Sequence, residues 1–178
     1  MADTQRTASA LATLFADNTS GDISPQDLRD FLVSAHVNYG VSYVSTAAET
    51  TISTQDVFVK AAGTTTEIAT RNFTHTAGRL TYNGTPDINV YVSCCFSMTA
   101  AGNSKEIDFK IAKNGTVIDS SMIRRKVGTG TDVGAASVDS FIEGLSTNDY
   151  IELWVANHTD TTNVTIELCH LMVFGMFA

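Results

Sequence analysis

The chain has 178 residues, of which 43% are hydrophobic and 17% are charged, and its formal net charge is -8. This length is enough for one well-cored domain with a small appendage, and the composition excludes a disordered or membrane-embedded chain. The 11 basic and 19 acidic residues argue against binding to duplex nucleic acid. Such a protein needs a basic face that neutralises phosphates.

Two amphipathic helices are predicted in the first forty residues. Ser24 is a suitable N-cap for the second helix, Pro25 suits its first position, and Asp27 lies near its positive end. The apolar residues of both helices recur at the i, i+3, i+4, i+7 spacing of one helical face. They are Ala8, Leu11, Ala12 and Phe15 in the first helix and Leu28, Phe31, Leu32 and Ala35 in the second. Helices this short are marginal alone, so their faces must dock on each other, on the following domain, on sister copies or on a larger particle.

After Gly40 the sequence predicts short strands joined by turns. The best central strand covers residues 87–98, and Asn83-Gly84 and Asn114-Gly115 are strong turn signals. Alternation places six residues of that strand on one face: Ile88, Val90, Val92, Cys94, Phe96 and Met98. About eight to ten such strands, with no helices between them, predict an antiparallel sandwich or barrel. Four phenylalanines are predicted in its core: Phe73, Phe96, Phe109 and Phe141.

The last stretch, residues 148–178, holds two alternating runs around a polar turn. One face carries Ile151, Leu153 and Val155 in the first run and Val164, Ile166 and Leu168 in the second. From Leu171 to Phe177 both faces are apolar, and the core of one domain covers only one of them. We therefore expect a second copy of the chain to cover the other face, although alternation does not say which face that is. The candidate contact residues are Trp154, Leu171, Val173, Phe174 and Phe177.

Three cysteines, an odd count, fit a reducing compartment. Cys94 and Cys95 are adjacent in a predicted strand, so their side chains point to opposite faces and are poorly placed to bond each other. Free thiols are expected. No signal peptide is expected at the start of the chain, and no later run is long enough to span a bilayer.

Motifs that would carry chemistry are missing from the sequence. The histidines His36, His75, His158 and His170 are isolated, and none has metal-ligand spacing. The glycines of residues 128–134 lack the spacing of a nucleotide loop, and the sequence contains no Gly-x-Ser-x-Gly, no His-Glu-x-x-His and no P-loop motif. The carboxylate pair Glu152 and Glu167 could serve acid–base chemistry or hold calcium only if the fold brought the two together. We therefore predict no enzyme activity, no catalytic residue, no cofactor and no metal site.

Three features lie in the last three quarters of the chain. They are the hairpin Lys-Ile-Ala-Lys-Asn114-Gly115-Thr, the strand entry Leu145-x-x-x-Asp149-Tyr-Ile-Glu-Leu, and the closing apolar strand that ends Phe174-Gly175-Met-Phe177. Together they resemble the tumour-necrosis-factor-like (TNF-like) jelly rolls. The resemblance implies an antiparallel jelly-roll sandwich in residues 40–178 and a compact homotrimer packed around the last strand and its neighbours.

The block from Leu14 to Phe31 resembles a segment of bacteriophage virion proteins, where it precedes a fibre, spike or decoration domain. This implies that residues 1–39 form an arm for attachment or trimerisation. Its contact residues would be Leu11, Phe15, Leu28, Phe31 and Leu32. The two resemblances imply a non-enzymatic structural protein of a phage or virus particle, assembled in the host cytoplasm, that decorates the capsid or forms a fibre or spike head.

The partners expected from these resemblances are other copies of the chain, and capsid or tail proteins bound through the arm. An alternative is the receptor- or glycan-binding knob of a tail fibre, with its function in loops such as 100–105, 128–134 and 158–162. A third is an enzyme built on a jelly roll. Nucleic acid and membrane insertion are not expected.

Overall fold

The computed structural model describes residues 3–15, 23–128 and 132–177, the last residue by its backbone only. The predicted polar break at 17–22 and the middle of the predicted loop at 128–134 lie outside these residues. Two helices come first, α1 (Ala8–Leu14) and α2 (Pro25–Ser34), and a 3-10 turn lies at Asp119–Ser121. The strands are β1 (Asn38–Ala47), β2 (Glu49–Thr50), β3 (Val59–Lys60), β4 (Gly63–Arg71), β5 (Phe73–Thr76), β6 (Arg79–Tyr82), β7 (Ile88–Ala100), β8 (Lys105–Lys113), β9 (Thr116–Val117), β10 (Ile123–Val127), β11 (Gly134–Leu145), β12 (Tyr150–Asn157) and β13 (Val164–Phe177).

These strands form two antiparallel sheets. The first sheet has the order β11-β7-β13-β1-β4, with β2 beside β13. The second has the order β10-β8-β12-β6-β5, with β3 beside β12 and β9 beside β8. Side chains from both sheets form one buried apolar cluster between them. The predicted jelly-roll sandwich behind a short helical segment is confirmed, and β13 lies at the centre of the first sheet.

The core confirms most of the predicted alternation. All six inward-facing residues predicted for the central strand are buried in β7, and Cys95 is exposed on the opposite face from the buried Cys94. Phe73, Phe96 and Phe109 are also buried. The prediction for Phe141 is wrong: its side chain is 62% exposed, because β11 turns Val138 and Ile142 inward.

A bulge in β13 corrects a second prediction. The register between β13 and β7 shifts between Ile166 and Leu168. Glu167 and Leu168 therefore both lie on the outer side, and the inward-facing positions beyond them are shifted by one residue. Leu168, predicted to share a face with Ile166, is 67% exposed, whereas Cys169 packs against the core. Beyond the bulge, Leu171 and Val173 point inward.

The second helix begins as predicted. The Ser24 hydroxyl accepts from the Asp27 backbone N–H, and the Asp27 carboxylate accepts from the Ser24 N–H in return, which completes a capping box. The buried Asp30 ties the start of the chain to this helix, since its carboxylate accepts from the Thr4 N–H at 2.9 Å and from Arg6 Nε at 2.8 Å. The backbone hydrogen bond from Thr4, followed by the bonds from Gln26 and Arg6, lowers the pKa of Asp30. β1 begins at Asn38, slightly before the predicted start of the domain at residue 40.

At Gly175, β13 has no room for a side chain beside β7. A Cβ atom there would lie 2.6 Å from Val90 Cγ1 and 2.9 Å from both the Asn89 carbonyl oxygen and Ile88 Cδ1. We expect Gly175→Ala to lower the free energy of unfolding by about 1–3 kcal/mol, because β13 must move away from its neighbour. The measurement is urea unfolding at one fixed protein concentration. Gly102→Ala is the control, since a Cβ there would crowd only the flexible end of Lys105 and would make an ordinary contact with Thr162. Equal midpoints for the two variants would contradict the prediction.

Candidate self-association surface

Four aromatic residues form a continuous row across the outer face of the first sheet. Phe141 on β11 lies opposite Tyr91 on β7, and Tyr91 lies opposite Phe174 on β13. Phe174 in turn lies opposite Tyr39 on β1, with ring centroids 6.4 Å apart. We call these four residues the aromatic belt. Cross-strand aromatic pairs of this kind stabilise a sheet, but three of the four side chains still remain 40–62% exposed.

More apolar surface adjoins the aromatic belt. Met176 follows Phe174 on the same face and is 65% exposed, and Val37, just before β1, is also exposed. A groove runs through this end of the face and is lined by Val37, Asn89, Tyr91, Phe141, Phe174, Gly175 and Met176. A contiguous exposed apolar surface marks an interaction site more strongly than isolated apolar residues do.

Polar groups lie at the margins of the aromatic belt. Arg71 on the edge strand β4 is opposite Tyr39, and Asp139 lies on the other edge strand, β11. A hydrogen bond with Asp139, together with burial, raises the pKa of Tyr91. An apolar centre with a polar rim is the usual composition of a protein–protein interface.

The outer face of the second sheet has the opposite character, because its charges are paired. Arg124 binds both carboxylate oxygens of Asp108, at 2.6 and 2.8 Å. Glu152 is buried beneath Arg79 and Lys60, whose nitrogens lie 2.7 and 3.2 Å from its Oε1. In the described part of the chain, the apolar side chains on the outer face of the first sheet stay largely exposed.

The fold brings together one cluster that the sequence did not predict. Asp56, Asp108 and His158 come from three separate segments, and their possible ligand atoms all lie within 4.8 Å of one another. His158 Nδ1 is 2.5 Å from an oxygen of Asp56, and both oxygens of Asp108 already accept from Arg124. These hydrogen bonds account for the arrangement. The carboxylates of Glu152 and Glu167 are not brought together, because they belong to different sheets and Glu167 accepts from the Thr99 hydroxyl.

The predicted contact residues fall in three different places. Leu171 and Val173 lie in the core, 4% and 0% exposed, so the prediction that their side chains meet another copy is corrected. Trp154 lies on the outer face of the second sheet, half-buried, with its indole N–H donating to Glu152 at 3.0 Å. Only Phe174 belongs to the aromatic belt. The side chain of Phe177 lies outside the described part of the chain.

The predicted arm residues lie on α1, at its C-cap Phe15, and on α2. The rings of Phe15 and Phe31 meet edge to face, 5.6 Å between centroids, and Leu28 completes a small apolar notch with them. Leu11 is half-buried, whereas Leu28, Phe31 and Leu32 are 54%, 42% and 53% exposed. Their role in attachment stays a prediction.

No protein-family model and no curated protein sequence match the chain. Among solved structures, murine APRIL at pH 5.0 is similar, with a TM-score of 0.52 and 7% identity over 78% of this chain and 99% of that one. Lower scores are found for the PRD1 vertex protein P5, with a TM-score of 0.41 and 8% identity over 79% and 97% of the two chains. Eiger TNF from S. frugiperda has a TM-score of 0.43 and 13% identity over 79% and 95%.

At 7% identity the likeness to APRIL shows the fold and nothing more. The fold is the TNF-like jelly roll that the hairpin, strand-entry and closing-strand motifs imply. In the described residues, no helix is both long and apolar enough to cross a membrane.

Proposed function

We propose that the chain is a non-enzymatic structural protein of a phage or virus particle, a homotrimer that packs through the aromatic belt and attaches through residues 1–39. The aromatic belt is the observation that carries this proposal. Fully burying one large apolar side chain stabilises by about 1.5–3 kcal/mol, and the belt leaves several such side chains partly exposed at the centre of a sheet. A second copy of the chain supplies the missing cover.

The TNF-like resemblance implies trimers that pack around the last strand and its neighbours. The aromatic belt crosses β13 and the two long strands beside it, β7 and β1. It therefore occupies the region that such a trimer would bury. The same patch cannot face itself across a three-fold axis; each subunit must present two different surfaces that close into a ring. The polar rim at Asp139 and Arg71, at opposite margins of the face, supports such an unequal contact.

The N-terminal arm supports the proposal that the chain belongs to a particle. The block from Leu14 to Phe31 resembles a virion-protein segment, and α2 exposes Leu28, Phe31 and Leu32. Gln5 accepts from the Asn72 side chain at 3.0 Å, which joins the arm to the sandwich by a polar contact. An arm attached in this way can present its apolar residues to a capsid or tail protein.

Light scattering coupled to gel filtration tests the trimer. At micromolar concentration the expected mass is three times the 19.0 kDa of one chain, and a stable monomer would contradict the proposal. Mass spectrometry of purified particles from the source culture tests the location separately, and absence of the chain from those particles would contradict a virion role. Binding to a glycan array would favour the knob of a tail fibre over a decoration protein.

Deleting residues 1–35 is expected to leave the sandwich folded and trimeric but unable to bind its particle. Every residue of the core cluster lies at Val44 or beyond, so the deletion removes none of it. Far-ultraviolet circular dichroism, light scattering and co-sedimentation with particles measure the three properties. The full-length double variant Phe31→Ser, Leu32→Ser is the matched control and should lose only particle binding. Loss of folding in the deletion variant would show that the arm is part of the core.

A further inference from the structure

Two cysteines from neighbouring strands meet in the centre of the first sheet. Cys94 on β7 and Cys169 on β13 have their sulfur atoms 3.4 Å apart. Cys94 lies opposite Leu171 and Cys169 lies opposite Phe96, so the two cysteines are diagonal neighbours across the strand pair. The bulge between Ile166 and Leu168 brings them together, because it turns Cys169 toward the core side on which Cys94 lies.

The two thiols differ in access. Cys94 is fully buried, whereas Cys169 is half-buried and lines a surface depression beside Tyr43 and His170. Cys169 also lines a small cavity of about 30 Å³ between the sheets, which exceeds the space that one water needs. A small reagent can therefore reach Cys169 and not Cys94. Cys95, the third cysteine, is exposed and lines the same surface depression as Cys169.

From this arrangement we infer that Cys94 and Cys169 form an oxidation site, a dithiol that a peroxide converts to a cross-strand disulfide. The peroxide first oxidises the Cys169 thiol to a sulfenic acid and leaves as water. The Cys94 sulfur then attacks the Cys169 sulfur; the hydroxyl group leaves with the thiol proton as a second water, and the S–S bond forms. The two thiols together lose two electrons, and the peroxide gains them.

The order of these steps follows from the surroundings of each sulfur. The hydrogen bond with Cys169, followed by burial, holds the pKa of Cys94 well above its ordinary value. Cys94 therefore stays protonated and does not react with the peroxide itself. It acts as the resolving thiol by giving its proton to the departing hydroxyl group of Cys169 as the two sulfurs bond. Closing the bond requires the sulfurs to approach from 3.4 Å to about 2.05 Å, and for diagonal neighbours this takes a small shift of the two strands as well as side-chain rotation. The product ties β7 to β13, the two strands that carry Tyr91 and Phe174.

The test treats the full-length folded protein with hydrogen peroxide and measures its intact mass. The expected product is about 2 Da lighter than the untreated protein and regains its mass with dithiothreitol. The thiol count under denaturing conditions should fall from three to one. Peptide mapping should identify one cross-link, between the peptides that hold Cys94 and Cys169. A wild-type product in which the Cys94 and Cys169 peptides stay unlinked would overturn the inference without needing any variant to fold, whether or not oxygen is gained at Cys95 or at the exposed methionines.

Two variants sharpen the assignment. Cys95→Ser should still lose two thiols, because Cys95 takes no part in the bond. Cys94→Ala should gain oxygen at Cys169 rather than lose two hydrogens, since the resolving thiol is gone. The alternative is an intermolecular disulfide through the exposed Cys95. It would appear as a covalent dimer on a non-reducing gel in the wild type and not in Cys95→Ser, and the inference would then fail. The result does not depend on a virion role or on the trimer.

Discussion

Phe174→Asp is expected to give a folded monomer. The Phe174 side chain is 40% exposed on the outer face of the first sheet, so an aspartate there remains hydrated in the isolated subunit. In the proposed trimer the same carboxylate would be buried in an apolar contact without a partner. Leaving a buried charge unpaired costs about 3–5 kcal/mol, which weakens association roughly 100-fold or more. Light scattering should report the mass of one chain, with an unchanged circular dichroism spectrum.

The neighbouring substitution Val173→Asp is expected to prevent folding. Val173 is 0% exposed and belongs to the core cluster between the sheets, so its carboxylate would have neither water nor a cation nearby. The cost of burying such a charge is comparable to the whole stability of a domain, about 5–15 kcal/mol. The measurement is the soluble yield and the cooperativity of thermal unfolding.

Two milder variants control this comparison. Phe174→Leu keeps an apolar side chain in the aromatic belt and should remain trimeric. Val173→Thr keeps the shape of valine and should fold, with a lower free energy of unfolding. A folded monomer from Val173→Asp, together with an unfolded Phe174→Asp, would show that the two faces of β13 have been assigned in reverse.

The elements that the sequence predicted well are those whose signals are local. The second helix has a capping residue, a proline and a carboxylate within four positions, and the capping box forms between Ser24 and Asp27. β7 alternates without interruption from Ile88 to Met98, and each inward residue is buried. In both cases the backbone geometry that decides the outcome is contained in the segment itself.

The elements that the sequence did not predict depend on partners distant in the chain. The bulge in β13 exists only as a mismatch with β7, so alternation alone placed Leu168 inside and Cys169 outside. Phe141 has the residue type of a core position, but the phase of β11 turns it toward the surface. The aromatic belt is likewise a property of register, since its members lie opposite one another across four strands. The sequence predicted that one face of the strand around Phe174 needs a cover, but it did not show which of the two faces that is.

The buried carboxylate of Glu152 links two basic side chains on the outer face of the second sheet. Glu152 is 1% exposed and holds together Arg79, Lys60 and the Trp154 indole N–H on the outer face of the second sheet. Burial acts to raise its pKa, but the hydrogen bonds from Arg79, Trp154 and Lys60 outweigh burial and lower it. A depressed pKa in the folded state means that the ionised carboxylate stabilises the fold at neutral pH. That stabilisation is present above the ordinary glutamate pKa of about 4.3 and is lost as the pH falls through the lower folded value.

Glu152→Gln is therefore expected to lower the free energy of unfolding at pH 7. The free energy of unfolding of this variant should also fall less than that of the wild type as the pH is lowered. Breaking a buried ion pair costs about 3–5 kcal/mol when the remaining charge stays buried. Arg79 and Lys60 are 45% and 31% exposed and can return to water, so about 1–3 kcal/mol is expected here. Urea unfolding between pH 3 and pH 7, at one fixed protein concentration, measures both effects. Glu143→Gln, at an exposed position on β11, should match the wild type at every pH. If Glu152→Gln retained the acid sensitivity of the wild type, the buried charge on the second sheet would not be its source.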